Sequence, residues 1–446
     1  MHRPDPHAAR HRVHRESGLP GALALALPLI IGLAGCGGTN PPTPATSVPP
    51  GYHTTALHTT ALAPDNGRLA ALGRELFHDT MLSEPPGQSC ASCHDPRWAF
   101  ATPQTSMQAG ISVGARSDHF GQRNAPTLMY LSFSPPPRFD AERGMLIGGL
   151  MLDQRADTLE AQARHPLFNP TEMANRSDSA LAAKLRAAPY ASRFSALFGR
   201  GALADPARAV QLAAAALAAY QRGPEFAPFS AKFDAVRAGV ATFNEAEQRG
   251  HEVFSDPKRG NCIACHVIDS GDGRPPLFTD FSSHNLGLPA NPLNPYYRMS
   301  RQINPYGAAF IDLGVGAEPQ RAAMAGRFKV PTLRNVSVTS PFMHNGVFPS
   351  LGEAVRFYST ACLPGNPEGW PEPEVAHGRE CRKIGQLDLS ARDIADLVVF
   401  MYALTDGWFD PATGKPGPMQ VPPRAPITAE SARVGADENR RAQAVR

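Results

Sequence analysis

An excess of charge of either sign is what this 446-residue chain lacks: 43 lysines and arginines face 40 aspartates and glutamates, a net of +3. Arg3, Arg10, Arg12 and Arg15 lie before residue 36 against only two acids, so the rest is nearly neutral. Such a chain has no basic footprint for a phosphate backbone, which argues against nucleic acid as a partner. Long apolar runs are missing too, apart from Leu19 to Leu33, which is too short for a permanent transmembrane helix. Hydrophobic residues make up 42%, enough for two domain-sized cores. The 45 prolines point to many loops and an extended segment rather than a compact repeat array.

What is present is one pentapeptide written twice, Cys90-Ala91-Ser92-Cys93-His94 and Cys262-Ile263-Ala264-Cys265-His266. Cys-x-x-Cys-His is the attachment site of a c-type haem: two thiols form thioethers to the porphyrin edge and the imidazole reaches the iron. Zinc would need ligands gathered from pairs far apart in sequence, each ignoring its own histidine. A redox dithiol has no use for the trailing histidine. Two covalently bound haem c groups are therefore expected, on Cys90, Cys93 and His94 and on Cys262, Cys265 and His266.

The start reads as an export signal, a basic segment followed by the apolar run. It ends in Leu33-Ala34-Gly35-Cys36, which resembles a bacterial lipobox; ordinary cleavage with Cys36 incidental is the alternative. A periplasmic lipoprotein, held to the membrane through lipid on Cys36, is the expectation. Of the seven cysteines, Cys362 and Cys381 remain. They bracket a Pro/Gly-rich loop and are either a disulfide contributing about 3 kcal/mol or two free thiols.

Residues 37–65 are Pro/Thr-rich and read as a tether. Leu69, Leu72 and Leu76 mark a helix before the first haem motif, and Ala246, Arg249, Gly250, Val253 and Phe254 mark one before the second. Each contains a Gly-x-Glu-x-Phe, Gly73 to Phe77 and Gly250 to Phe254, which indicates a duplication. Ser179–Phe198 and Pro206–Arg222 are alanine- and leucine-rich and helical, with no alternating strand pattern to compete. Ser390 and Asp393 form a capping-box start for a closing helix whose stripe includes Met401, a core residue rather than an iron ligand. The expected fold is mainly α, two cytochrome c-like haem domains packed together. Its divisions are a signal peptide over 1–36, the tether, domains over 66–240 and 241–410, and a loose tail over 411–446.

Two haems alone make an electron carrier, and an enzyme needs an open iron with acid–base groups beside it. Here the sequence resembles the bacterial di-haem cytochrome c peroxidase/MauG family. The resemblance rests on Leu72-Gly73-Arg74-Glu75-Leu76-Phe77, the first haem motif, Arg123-Asn124-Ala125-Pro126-Thr127, Phe168-Asn169-Pro170-Thr171-Glu172-Met173, Val330-Pro331-Thr332-Leu333-Arg334-Asn335 and Pro341-Phe342-Met343-His344-Asn345-Gly346. It implies a peroxidatic first haem, with Gln162 and Glu172, ten residues apart, as the distal polar pair. Cleaving hydrogen peroxide moves a proton from the inner oxygen to the leaving one; a carboxylate can accept and return it while an amide orients the substrate. The alternative has Glu172 capping a turn and Gln162 on a solvated helix face.

The resemblance places Tyr358 where the peroxidases carry a Met ligand to the second iron, as in MauG; otherwise Tyr358 is a core aromatic. It also implies a calcium ion bound by Asn124, Thr339 and Pro341. Arg334 is implied to pair with a haem propionate, or else lies at the surface. Two departures stand out. Leu152-Asp153-Gln154-Arg155 replaces the family's Trp-Asp-Gly-Arg, whose indole relays electrons between haems, leaving Trp98 as a substitute or a packing residue. Ser112 to Arg116 lacks the family's covering histidine, and His119 is displaced, so the first haem is expected to be open. The resulting expectation is an exported di-haem peroxidase drawing electrons, through the second haem, from a small redox protein or an oxidisable protein substrate. The rival is a non-catalytic di-haem electron-transfer cytochrome.

Overall fold

The computed structural model describes residues 66–408 apart from positions 104, 105, 270, 272, 382, 383 and 388. The expected signal peptide, Cys36, the tether and the tail lie outside the described residues. Ten α-helices occur among those described: α1 Asn66–His78, α2 Cys90–Cys93, α3 Leu159–Phe168, α4 Asp178–Ala187, α5 Ala191–Phe198, α6 Pro206–Gln221, α7 Lys232–Arg237, α8 Glu245–Ser255, α9 Leu351–Thr360 and α10 Ala391–Tyr402. Three two-stranded antiparallel sheets accompany them, β1 Met107–Gln108 with β2 Ile111–Ser112, β3 Arg138–Asp140 with β4 Met145–Ile147, and β5 Ser283–His284 with β6 Phe328–Lys329. The protein is helix-rich with little sheet. No described helix is long and apolar enough to cross a membrane.

Local chemistry sets the helix ends. Asp205 caps α6 by accepting from Arg208 N, with Pro206 in the first turn where its missing N–H costs nothing. Ser390 and Asp393 form the capping box of α10, and Asn244 and Glu247 form that of α8. The helix expected over Ser179–Phe198 is broken in two. Pro189 pushes Ala188 to ψ 147°, outside the helical region, so α4 stops and α5 restarts at Ala191.

Among the described residues two large hydrophobic cores form, beside a small cluster of Leu150, Ala156, Leu159 and Ala218. One gathers Leu72, Phe77, Leu181, Phe194, Leu217 and Phe226. The other gathers Phe233, Phe254, Phe278, Phe357, Leu397 and Phe400, with Met401 among them. Phe233, which precedes residue 240, packs in the second core, and Leu277 packs in the first. Cys362 and Cys381 are bonded, closing the loop between α9 and α10.

The duplicated glycines explain how each core is built. A Cβ on Gly73 would collide with the Ala216 carbonyl of α6, and one on Gly250 with the Asp396 carbonyl of α10. At each crossing two helix backbones touch, which only glycine permits. Gly73→Ala or Gly250→Ala is expected to cost about 2–3 kcal/mol, the upper range for overpacking a well-filled contact. Chemical denaturation checks this; an unchanged midpoint would mean the helices separate freely.

Candidate active site

Cys90 and Cys93 open and close α2, one helical turn that sets both sulfurs on the same side. His94 follows at the helix end, and its Nδ1 donates to Phe100 O at 3.0 Å. A carbonyl can only accept, so this bond fixes the tautomer and leaves Nε2 with its lone pair. Burial lowers the imidazole pKa to about 4, which keeps the ring neutral. Burial likewise pushes the Cys90 and Cys93 thiols up to about 12, far from the range of a working redox dithiol.

The second motif repeats the arrangement on a 3₁₀ turn, Cys262–Ala264. His266 Nδ1 donates to Phe278 O at 2.8 Å. Phe100 and Phe278 both lie in the left-handed region, at φ 54° and 53°. Behind each, a threonine holds the preceding carbonyl: Thr127 Oγ1 donates to Ala99 O at 2.5 Å and Thr332 Oγ1 to Leu277 O at 2.7 Å. These are the threonines of Ala125-Pro126-Thr127 and Val330-Pro331-Thr332, so the duplication extends to the second layer around each histidine.

Each motif borders its own cavity. The first, of about 350 Å³, is lined by Cys90, Cys93, His94, Gln162 and Glu172. The second, of about 270 Å³, is lined by Cys262, Cys265, His266, Arg334, Tyr358, Thr339 and Pro341. Because the cysteine pairs face different cavities, they cannot share one zinc. Asn124 to Thr127, Leu152 and Lys329 to Thr332 border both and form the wall between them.

Gln162 is buried on α3, not on a solvated face, and its Oε1 has no hydrogen-bond partner among the described residues. Glu172 follows in the next turn, its Oε1 accepting from Asn169 Nδ2 at 2.8 Å. Burial raises the Glu172 pKa, while the nearby Arg155 charge and the Asn169 bond pull it back. Arg155 is itself held by Asp153, which Arg123 also engages at 2.7 Å before reaching Asp312 at 2.6 Å. Charge alternates along this chain, so each buried ion has a partner. His119 donates to Pro170 O at 2.8 Å and borders neither cavity, and nor does Trp98.

Position 154 shows how the departure in Leu152 to Arg155 is accommodated. Gln154 sits at φ 55°, a conformation natural to the glycine of the resembling family. Its buried amide donates to the Leu146, Gly148 and Phe281 carbonyls, which offsets the backbone strain. In the second cavity, Tyr358 projects from α9, and burial beside Cys265 and Cys262 raises its pKa; its hydroxyl makes no hydrogen bond among the described residues. Asn124 Nδ2 lies 2.6 Å from Pro341 O, with Thr339 on the same cavity.

Arg334 is buried, which removes the surface alternative. Its guanidinium pairs with both oxygens of Asp234 at 2.8 and 2.7 Å and donates to Pro276 O at 2.6 Å. Three of its five donors are thus taken by protein, leaving two for a propionate. Lys329 was not among the expected site residues. It borders both cavities, donates to Ser134 Oγ at 2.7 Å, and burial lowers its pKa to about 7. A lysine beside Val330-Pro331-Thr332 carries no sign in sequence that it is buried.

The chain is similar to known proteins over most of its length. The sequence profile of the di-haem cytochrome c peroxidase family matches residues 67–242. The methylamine utilization protein MauG of Paracoccus denitrificans is 43% identical over 362 residues, 78% of this chain and 91% of that protein. A cytochrome-c peroxidase of Denitromonas iodatirespirans is 31% identical over 351 residues, 75% and 81% of the two chains. Among solved structures, the diheme peroxidase BthA of Burkholderia thailandensis aligns with a TM-score of 0.68 at 34% identity, covering 80% of this chain and 91% of that one.

The Arg334–Asp234 pair carries a consequence independent of what the cavities hold. Asp234→Ala strands a buried guanidinium and is expected to destabilise the protein by about 3–5 kcal/mol. Equilibrium unfolding measures it; a loss under about 1 kcal/mol would show that water reaches Arg334.

Proposed function

Given that the chain belongs to the di-haem cytochrome c peroxidase/MauG family and is a peroxidase-like oxidoreductase, we propose that it reduces hydrogen peroxide in the first cavity with electrons passed through the second. The family implies two c-type haems. The donor sets fit them: paired thiols beside a buried imidazole whose Nδ1 donates to a carbonyl, once in each cavity. Cys90 and Cys93 would carry one group with His94 on its iron, and Cys262 and Cys265 the other with His266 and Tyr358. Bound in the first cavity, the haem supplies the redox-active iron at which peroxide is reduced.

The observation that carries this reading is the pairing of Glu172 with the unpartnered Oε1 of Gln162 on the cavity of His94. Asn169 occupies Glu172 Oε1, which leaves Oε2 to take the peroxide proton and return it to the departing oxygen. Gln162 Oε1, buried without a donor, accepts a hydrogen bond from the peroxide O–H and orients it. Arg155 favours the ionised carboxylate at the moment a base is needed.

The Tyr358 oxygen would be a hard ligand to a second iron held by His266 and would favour its higher oxidation states, suiting storage of an oxidising equivalent. The reductant is a small electron-transfer protein or an oxidisable protein substrate. Turning the Asn124 amide over would bring Oδ1 and Pro341 O to one point, as calcium's preference for oxygen ligands requires, with Thr339 O as a third. Export to the periplasm and anchoring through Cys36 complete the reading.

Glu172→Gln is expected to lower kcat about 10²–10⁴-fold with the haem spectra unchanged, since it removes a positioned base. Burial raises this carboxyl's pKa, so wild-type turnover should fall as pH drops through a value above the ordinary carboxylate range. That limb should vanish in Glu172→Gln; an unaltered rate or profile removes the acid–base role. Tyr358→Phe is expected to change the second haem's spectrum while the first still bleaches with peroxide. Two saturated, peroxide-inert haems would make the protein an electron carrier.

A further inference from the structure

The wall between the cavities holds no indole. Position 152 is leucine, and Trp98, Trp370 and Trp408 border neither cavity. Two tyrosines border the first cavity, Tyr130 and Tyr296. Tyr296 OH accepts from the Gln122 amide at 2.9 Å and faces a carbonyl at 3.4 Å, so no base is beside it. Tyr130 has one. Its hydroxyl donates to Asp406 Oδ2 at 2.7 Å, and the same carboxylate accepts from Ser230 N at 2.9 Å and Asn335 Nδ2 at 2.7 Å. The Arg334 guanidinium lies 5.0 Å from the Tyr130 ring centroid, and Arg334 borders the second cavity. One oxidisable ring therefore touches the first cavity and is a single contact from the second.

We infer that Tyr130 is a proton-coupled electron relay between the two redox sites, with Asp406 as its proton acceptor. This rests on the two-site peroxidase reading above. Converting one hydrogen peroxide to two waters consumes two electrons and two protons. For each electron, Tyr130 gives one toward the first site while its O–H bond breaks and the proton moves to Asp406 Oδ2. The neutral phenoxyl then takes one electron from the second site and recovers its proton, so both residues end as they began. Oxidation makes the phenol a strong acid, so its proton leaves, and Asp406 Oδ2 stands 2.7 Å from the hydroxyl to receive it.

A purely structural tyrosine would make the same hydrogen bonds and never carry a radical. Tyr130→Phe keeps the ring and its packing, and Asp406→Asn keeps the acceptor's shape but removes the base. Holoprotein and both variants are oxidised by mixing with peroxide and, separately, by flash-generated ruthenium(III) tris-bipyridine, which needs no peroxide chemistry. Freeze-quenched paramagnetic resonance is expected to show a tyrosyl signal in wild type and none in Tyr130→Phe. Electron transfer from the second site should slow about a hundredfold in both variants, the scale of a lost proton acceptor. Each variant's own loss of first-site absorbance with peroxide is the reference. Deuterated solvent should slow wild type but not Asp406→Asn. Equal transfer rates in wild type and Tyr130→Phe overturn the relay, as does the absence of a tyrosyl signal by both routes. A flash-generated Tyr130 signal in protein inert to peroxide supports the relay and overturns the peroxidase reading.

Discussion

Both halves of the molecule depend on a hydrogen bond from a histidine ring to a phenylalanine carbonyl. That bond decides which nitrogen carries the proton, and so whether a lone pair faces the cavity at all. It needs the carbonyl turned back toward the ring, which the left-handed backbone at Phe100 and Phe278 achieves. Such a conformation is costly for a residue with a Cβ and survives only where its surroundings enforce it. Thr127 and Thr332 do so by tying down the preceding carbonyls, and both threonines belong to the wall between the cavities. The device that prepares each histidine thus also sets the separation of the two sites.

Charge is arranged around the same wall. Arg155 acts on Glu172 from a position set by Asp153, Arg123 and Asp312, and Arg334 is neutralised by Asp234. Asp153, Asp312, Asp234 and Arg334 are buried ions that would be expensive alone and are acceptable in pairs, whereas Arg155 keeps 31% of its side chain exposed. Lys329 is the exception in kind, since its hydrogen bonds go to the neutral oxygens of Ser134 and Gly149 and burial is the cause of its lowered pKa. A group near neutrality on the border of two cavities responds readily to any anion placed in either one.

Much of this was legible in the sequence, because it is written locally. The caps of α6, α8 and α10 follow from residues within one helical turn, and both haem motifs are contiguous. The Gly-x-Glu-x-Phe repeat marks two like helix crossings, although the reason for its glycines, helix backbones in contact, appears only once α6 and α10 are in place. Pro189 lies inside the alanine- and leucine-rich run that reads as one helix, and it ends α4 at Ala187. Tyr130, Asp406 and Lys329 were not legible: their environment comes from segments that lie 71 to 276 residues apart in sequence, as with Asn335 and Asp406 or Tyr130 and Asp406. Burial of Gln162 was equally beyond a reading by periodicity, since a polar residue on a helix reads as solvated until the neighbouring chain covers it.

The exchange at positions 152 and 154 bears on how the two sites communicate. Gln154 reproduces by hydrogen bonding what a glycine achieves by lacking a side chain, so the turn survives and Leu152 still reaches both cavities. The wall therefore keeps its shape while losing its aromatic. An aliphatic side chain fills space but has no accessible oxidation state, so it is a medium for tunnelling and not a station. A station must then come from an aromatic beside the wall, and a phenol buried under a guanidinium can serve only if its proton has somewhere to go. Replacing an indole, which is oxidised without needing an adjacent base, by a phenol makes transfer between the sites depend on a carboxylate. On the proposed relay, the coupling of these two cavities is an acid–base property of the fold as much as a matter of distance.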